Sequence, residues 1–315
     1  MEWIEVLSPA TIGNIGPGFD VLGLAIKGLG DIVRARRIAR GVVISSIEPQ
    51  YDISYEAHNN TAGIAAMEVI KMLNMEKDGG VELRIRKGMP IGSGLGSSAA
   101  SAAAGAFAAN YLYGNKLDKR ELILAATRAE EYVSGGFFAD NTAAAILGGV
   151  TIARSSVPID VVKLGSIPEL KIIIAIPDIV ILTKKARDIL PDRILLNDFV
   201  INMCNSCLIT AAFAKGNYEL LVKGLNDVVI EPVREHLIPG FKFVKRSALE
   251  AGADGITISG AGPSVFAITN DELKVEKIKD AMVNAFNELK IGCRSLLTEI
   301  DEDGTRLLGT YIEAD

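Results

Sequence analysis

The chain is poor in the residues that announce metal and redox chemistry. Of its 315 residues only two are histidine, His58 and His236; they stand far apart, and neither is assigned a metal role. Its three cysteines are too few for a disulfide framework and fit a reducing cytoplasm. Cys204 and Cys207 form a C-x-x-C, but inside a helical pattern over 199–213, and no second cysteine or histidine pair stands at a zinc-like spacing. They are read as buried small side chains. The chain has no basic tract, and 33 basic against 39 acidic residues leave a net charge of −6, which argues against nucleic acid as the main partner. Its longest apolar stretches are alanine-rich or interrupted, so neither a membrane span nor a membrane partner is expected. The start runs directly into a strand-like Trp3-Ile-Glu-Val-Leu7 without a signal-peptide pattern, and a cytoplasmic location is expected. With 49% hydrophobic residues, the chain reads as a soluble globular protein large enough for two cores.

What the chain does have is glycine in alternation. Residues 90–101 read Pro-Ile-Gly-Ser-Gly-Leu-Gly-Ser-Ser-Ala-Ala-Ser, with small side chains continuing toward Tyr111. Glycine lets backbone N–H groups crowd an anion, and a helix opening at Ser97 or Ser98 adds unpaired N–H groups and a positive dipole end. The pattern is not a Walker A loop, because no Lys-Ser/Thr pair follows the last glycine. Its G-x-G-x-G-S-S spacing also differs from the G-x-G-x-x-G of dinucleotide-binding turns. It reads as a nucleotide polyphosphate cradle, against the plainer alternative of a glycine turn before an ordinary helix.

Periodicity predicts strands at 2–7, 31–37, 42–47 and 80–86 and helices at 61–74, 97–113, 118–133 and 140–147. Asp118 with Glu121 forms a capping-box start for the third helix. Gly148-Gly149 ends the fourth before a strand at 150–154. The pattern loosens over 155–168, where a domain boundary is expected, dividing the chain into 1–160 and 161–315. The second part holds strands at 171–176, 255–259, 264–268, 293–298 and 306–312. Its helices fall at 184–190, 193–214, 217–223, 240–251 and 273–289. The class is α+β in two domains.

Two further segments repeat the glycine-and-polar theme: Ser8-Pro-Ala-Thr-Ile-Gly-Asn14-Ile-Gly-Pro-Gly-Phe-Asp20-Val-Leu-Gly23 and Ile258-Ser-Gly260-Ala-Gly-Pro-Ser264. Three such loops point to one shared site. Together they resemble the three motifs of the GHMP kinase superfamily, and the first is most similar to the homoserine kinase branch. So are Ala139-Asp-Asn141, Thr183-Lys-Lys-Ala-Arg187 with Ile-Leu-Pro at 189–191, and Val229-Ile-Glu-Pro-Val-Arg234 with Leu-Ile-Pro at 237–239. The resemblance implies an N-terminal α+β domain with a left-handed β-α-β unit at the phosphate loop. It also implies a C-terminal ferredoxin-like α/β sandwich, with the site in the cleft between the two.

The resemblance implies ATP and Mg²⁺ as cofactors, L-homoserine as acceptor, and a possible homodimer. Pro90, Ile91, Gly92, Ser93, Gly94, Leu95, Gly96, Ser97, Ser98, Ala99 and Ala100 form the expected ATP segment, with Asn60 on the adenine side. Ser98 and Glu130 resemble the metal ligands, a donor set suited to a hard cation. Asp20 takes the acceptor ammonium, Arg187 and Arg234 clamp its carboxylate, Asn14 and Asn141 orient its hydroxyl, and Thr183 and Gly260 join the site. Where several GHMP kinases carry an aspartate base, this chain has Asn141; neighbouring Asp140 is expected to point about 100° away on its helix. Homoserine kinases commonly place a histidine just before the Asp-Asn pair, whereas residues 137 and 138 here are both phenylalanine. The resemblance thus implies a homoserine kinase, with a kinase for another small alcohol (shikimate or mevalonate type) or a non-catalytic metabolite-binding regulator as alternatives.

Overall fold

A computed structural model describes residues 2–312. The chain runs β1 (Glu2–Gly13), β2 (Leu22–Ile38), β3 (Gly41–Glu48), α1 (Thr61–Met72), β4 (Gly80–Arg86), α2 (Ser97–Leu112), α3 (Lys119–Ser134), α4 (Asp140–Leu147), β5 (Val150–Arg154) and β6 (Asp160–Lys163). It continues β7 (Lys171–Pro177), α5 (Thr183–Asp188), α6 (Leu196–Lys215), α7 (Tyr218–Gly224), α8 (Glu231–Arg234), α9 (Phe241–Glu250), β8 (Gly255–Ile258), β9 (Val265–Thr269), α10 (Val275–Glu288), β10 (Cys293–Thr298) and β11 (Arg306–Ile312).

The larger sheet has the order β11-β1-β2-β4-β3, with β5 beside β2 and β6 beside β5. Within it β3 and β4 are parallel, joined through α1, and the glycine loop leaves the end of β4. The alanines of α2 let α1 and α3 pack closely on it, over a core that includes Ala65, Val81, Leu83, Ala102, Ala106 and Ala126. The smaller sheet is antiparallel with the order β10-β7-β9-β8. Read from β7, this is the 4-1-3-2 order of a ferredoxin-like β-α-β-β-α-β unit. Strand β7 is apolar on both sides, as a central covered strand must be. Ile172 and Ile174 face a core shared with Ile12, Leu24 and Phe213, while Ile173 and Ala175 face Val244, Ile278 and Phe286. That shared core joins the two sheets beneath the cleft.

Two strands behave differently from the periodicity. Strand β1 runs on through the first glycine motif to Gly13, and β2 begins at Leu22, well before the predicted 31. Gly23 and Gly30 carry no β signal, so pairing with Gly13 and Pro9 of β1 decides there, while Gly28 (φ +81°) lies in an irregularity that the pairing skips. The 160/161 division falls inside β6, which pairs with β5 in the larger sheet, and β11 also returns to that sheet beside β1. Cys204 and Cys207 are exposed on α6, contrary to the expectation of burial, because this helix turns only Ile209, Ala212 and Phe213 fully inward. Among the described residues no helix is long and apolar enough to cross a membrane.

Candidate active site

The three glycine loops, far apart in sequence, are stitched together by hydrogen bonds. Thr11 N–H donates to Leu95 O at 3.0 Å, Gly260 N–H to Gly13 O at 3.2 Å, and Ser264 N–H to Ser93 O at 3.0 Å. Ser259 Oγ donates to Gly94 O at 2.7 Å. Gly94 has φ +79° and Gly96 has φ +65°. A Cβ on Gly94 would lie 2.4 Å from Ser259 O, and one on Gly96 would lie 1.9 Å from Thr11 Oγ1. Both left-handed torsion and close approach therefore demand glycine at these two positions.

The junction borders a cleft of about 290 Å³. Its wall includes Ile91, Gly92, Ser93, Gly94, Gly96, Ser97, Ser98 and Ala99 of the expected ATP segment. Leu95 and Ala100 instead pack into the core below, and the Ala100 N–H is already spent on Gly96 O at 2.8 Å. Pro90 likewise lies outside the lining. Helix α2 begins just after Gly96, which offers no side-chain cap, so its first N–H groups are open to a ligand. The hydroxyls of Ser93 and Ser97 are buried without a partner, which suits phosphate oxygens. Asn60 borders the same cleft near Ile47, Ile53 and Ile85. Its Oδ1 caps α1 through Ala62 N–H at 3.0 Å, and its Nδ2 donates to Ser54 O at 3.0 Å.

Ser98 on α2 and Glu130 on α3 meet, the hydroxyl donating to the carboxylate. Burial pushes the Glu130 carboxyl up to about 7, with the Asp140 charge adding to it and the Ser98 bond and Lys87 charge opposing. Among the described residues no three His, Cys, Asp or Glu side chains cluster as a metal cage. One hydroxyl and one carboxylate beside an anion cradle fit a Mg²⁺ ion that takes its other ligands from phosphate and water. Behind the cradle, buried Lys87 pairs with Asp31 and donates to Ser97 O at 2.9 Å and Ser101 Oγ at 2.8 Å. Sequence reasoning missed this network, because a lysine after a strand reads as a solvated charge.

The other side of the cleft is built on the first loop, α4, α5 and α8. Asn14 and Asp20 have φ +72° and +58°, backbone strain of the kind held at sites. Asn14 Nδ2 donates to Gly260 O at 2.9 Å, and its Oδ1 accepts from Asp20 N–H at 3.1 Å. Asp20 accepts two bonds from Arg187, at 2.9 and 2.8 Å. Arg234 is buried; it donates to Gly260 O at 2.9 Å and Ala186 O at 3.3 Å. Burial lowers its guanidinium to about 10, and the neighbouring Arg187 charge acts in the same direction. Thr183, exposed at the start of α5, borders the cleft with Arg187.

Asn141 Oδ1 accepts from Thr11 Oγ1 at 2.7 Å and lies against the glycine loop at Gly96. Asp140 does not point away from it: its Oδ2 accepts from Asn141 Nδ2 at 3.1 Å, and both side chains border the cleft. The helical 100° offset misleads here because both residues sit in the first turn of α4, where a side chain can lean past the helix end. Burial raises the Asp140 carboxyl to about 6, aided by the Asp20 charge and opposed by bonds from Asn141 and the Arg187 charge.

Glycine-loop N–H groups at a helix start, a hydroxyl–carboxylate pair and two Asp–Arg sets line one cleft, groups suited to phosphoryl transfer to a charged small molecule. The model of the GHMP kinases N terminal domain matches residues 60–149, and that of the GHMP kinases C terminal matches residues 209–288. The chain belongs to the GHMP kinase family of ATP-dependent small-molecule kinases. Within that family it falls among the homoserine kinases. It is 42% identical to the homoserine kinase of Arabidopsis thaliana, over 98% of this chain and 85% of that one. It is 38% identical to that of Pyrococcus abyssi, over 94% and 96%. The crystal structure of homoserine kinase from Cytophaga hutchinsonii superposes with a TM-score of 0.92 at 38% identity, covering 97% of each chain.

Proposed function

We propose that this chain transfers the γ-phosphate of ATP to the side-chain hydroxyl of L-homoserine, giving O-phospho-L-homoserine and ADP. The observation that carries the reading is the acceptor wall, where two carboxylates and two guanidinium groups share one cleft with the phosphate cradle. A zwitterionic amino acid complements that charge set, whereas a sugar or mevalonate has no ammonium to match Asp20 and Asp140. Arg187 keeps a buried, unpartnered Nε–H, a vacancy that a carboxylate oxygen fills. Arg234, buried at the cleft wall, binds the same carboxylate. Asp20 and Asp140 share the ammonium.

Asn141 and Asn14 orient the acceptor hydroxyl, with Thr11 fixing the Asn141 amide and Gly260 O fixing that of Asn14. The open N–H groups of α2 and the hydroxyls of Ser93 and Ser97 hold the β- and γ-phosphates. Ser98 and Glu130 would hold Mg²⁺, which would neutralise charge on the transferring phosphoryl group. Positioning and charge neutralisation carry the rate. Asn141 is no base, and Asp140 is committed to the ammonium, so the hydroxyl proton leaves late to the transferred phosphate.

ADP release measured over L-homoserine, shikimate, mevalonate and galactose tests the assignment. Turnover with L-homoserine alone is expected. Turnover with another of these alcohols instead, or ATP binding with no turnover on any, overturns it.

A further inference from the structure

The guanidinium of Arg187 is held from several sides. Asp20 takes both Nη atoms end-on, at 2.9 and 2.8 Å. The ring of Phe138 lies under the guanidinium carbon, with 3.8 Å from that carbon to the ring centre. Phe19 contributes a second ring at 5.3 Å, and that same ring lies 5.1 Å from the guanidinium carbon of Arg234. The Nε–H is left buried and without a partner. Close by, the chain leaves α3 through Gly135 and Gly136. A Cβ on Gly136 would sit 2.0 Å from Phe138 Cε2, so a residue without a side chain gives the ring its place.

We infer that Phe138 is a positioning residue for Arg187: its ring face holds the guanidinium so that the edge not used by Asp20 stays available to the acceptor carboxylate. The inference rests on the amino-acid reading above and deepens it. An arginine on a six-residue helix, tied only at its tip to an aspartate in a strained loop, can swing with that aspartate. A ring under the guanidinium carbon adds a restraint from a side that the Asp20 carboxylate does not occupy. The ring also excludes water from one face, strengthening every charge interaction on that side. Phe138 makes no hydrogen bond to substrate and moves no proton, so its effect falls on acceptor binding and spares the ATP half of the cleft.

The test is steady-state kinetics on the full chain, with each substrate varied at saturating levels of the other. Phe138→Leu is expected to raise KM for L-homoserine roughly fivefold to thirtyfold, the range of a partly desolvated cation–π contact. It leaves KM for ATP and kcat within about twofold, a change small beside that contact. Phe138→Tyr, which keeps the ring face, restores the wild-type value. In an Arg187→Gln background, Phe138→Leu costs about twofold or less, because the group it positions is gone. A homoserine KM unchanged in Phe138→Leu overturns the inference, as does an equal rise in both KM values or an undiminished effect in the Arg187→Gln background. A wild-type chain that fails to phosphorylate homoserine overturns the underlying reading and the inference together. Wild-type turnover with a silent Phe138→Leu overturns the inference alone.

Discussion

Replacing Glu130 by glutamine removes a charge that the fold holds at a cost. The carboxyl ionises near 4.5 in an unfolded chain and near 7 in the folded one, because burial disfavours the anion more than Ser98 and Lys87 favour it. Above about pH 7 the folded protein carries the anion and its full penalty; below about pH 4.5 the group is protonated in both states and the penalty vanishes. A rise from 4.5 to about 7 corresponds to at most about 3 kcal/mol. Glutamine keeps the acceptor oxygen facing Ser98 and carries no charge. Thermal unfolding without nucleotide, in chelator, should therefore show Glu130→Gln melting higher than wild type near pH 8. The gain is up to roughly 6 °C for a chain of this size, and it falls to about a quarter of that near pH 5. Adding magnesium and nucleotide should reverse the order, since the wild-type anion then gains its cation and the variant does not. A variant less stable at both pH values, or a difference that ignores pH, would refute the reasoning.

Other substitutions separate the parts of the cleft. Gly96→Ala places a methyl group on Thr11 Oγ1 and forces a left-handed torsion on a residue that resists it, so calorimetry should show ATP affinity down by about tenfold or more. Asp140→Asn should raise KM for homoserine and abolish the rise in wild-type KM as pH falls through about 6, while kcat changes little; a collapse of kcat would make Asp140 the base. Arg234→Lys loses the bond to Gly260 O and the planar fork, and KM for homoserine should rise about tenfold or more with KM for ATP steady.

Local rules carried much of the fold because the elements were locally consistent. The Asp118/Glu121 capping box forms with both reciprocal bonds, and the alanine helix starts at Ser97. The continuous isoleucines of 172–174 fall in the predicted strand at 171–176, and β7 is covered on both faces as such a run requires. The early start of β2 was illegible, since Gly23 and Gly30 owe their place in the strand to pairing with β1 and not to propensity. Within the site, the resemblance to the GHMP kinase motifs pointed to much of the cleft wall. It could not show that Asp140 leans into the cleft, that Lys87 is buried against Asp31, or that Phe138 lies under Arg187. Each depends on how an element end is oriented, which no periodicity encodes.

The central claim is that a zwitterion is recognised as such beside the phosphate cradle. It is tested most directly by kcat/KM for L-homoserine against 4-hydroxybutanoate, which lacks the ammonium, and 3-aminopropan-1-ol, which lacks the carboxylate. Each deletion strands buried charges on the protein, so losses of at least about a thousandfold are predicted for both. Turnover of either analogue within about tenfold of homoserine, a penalty smaller than one lost charged hydrogen bond, would contradict the account.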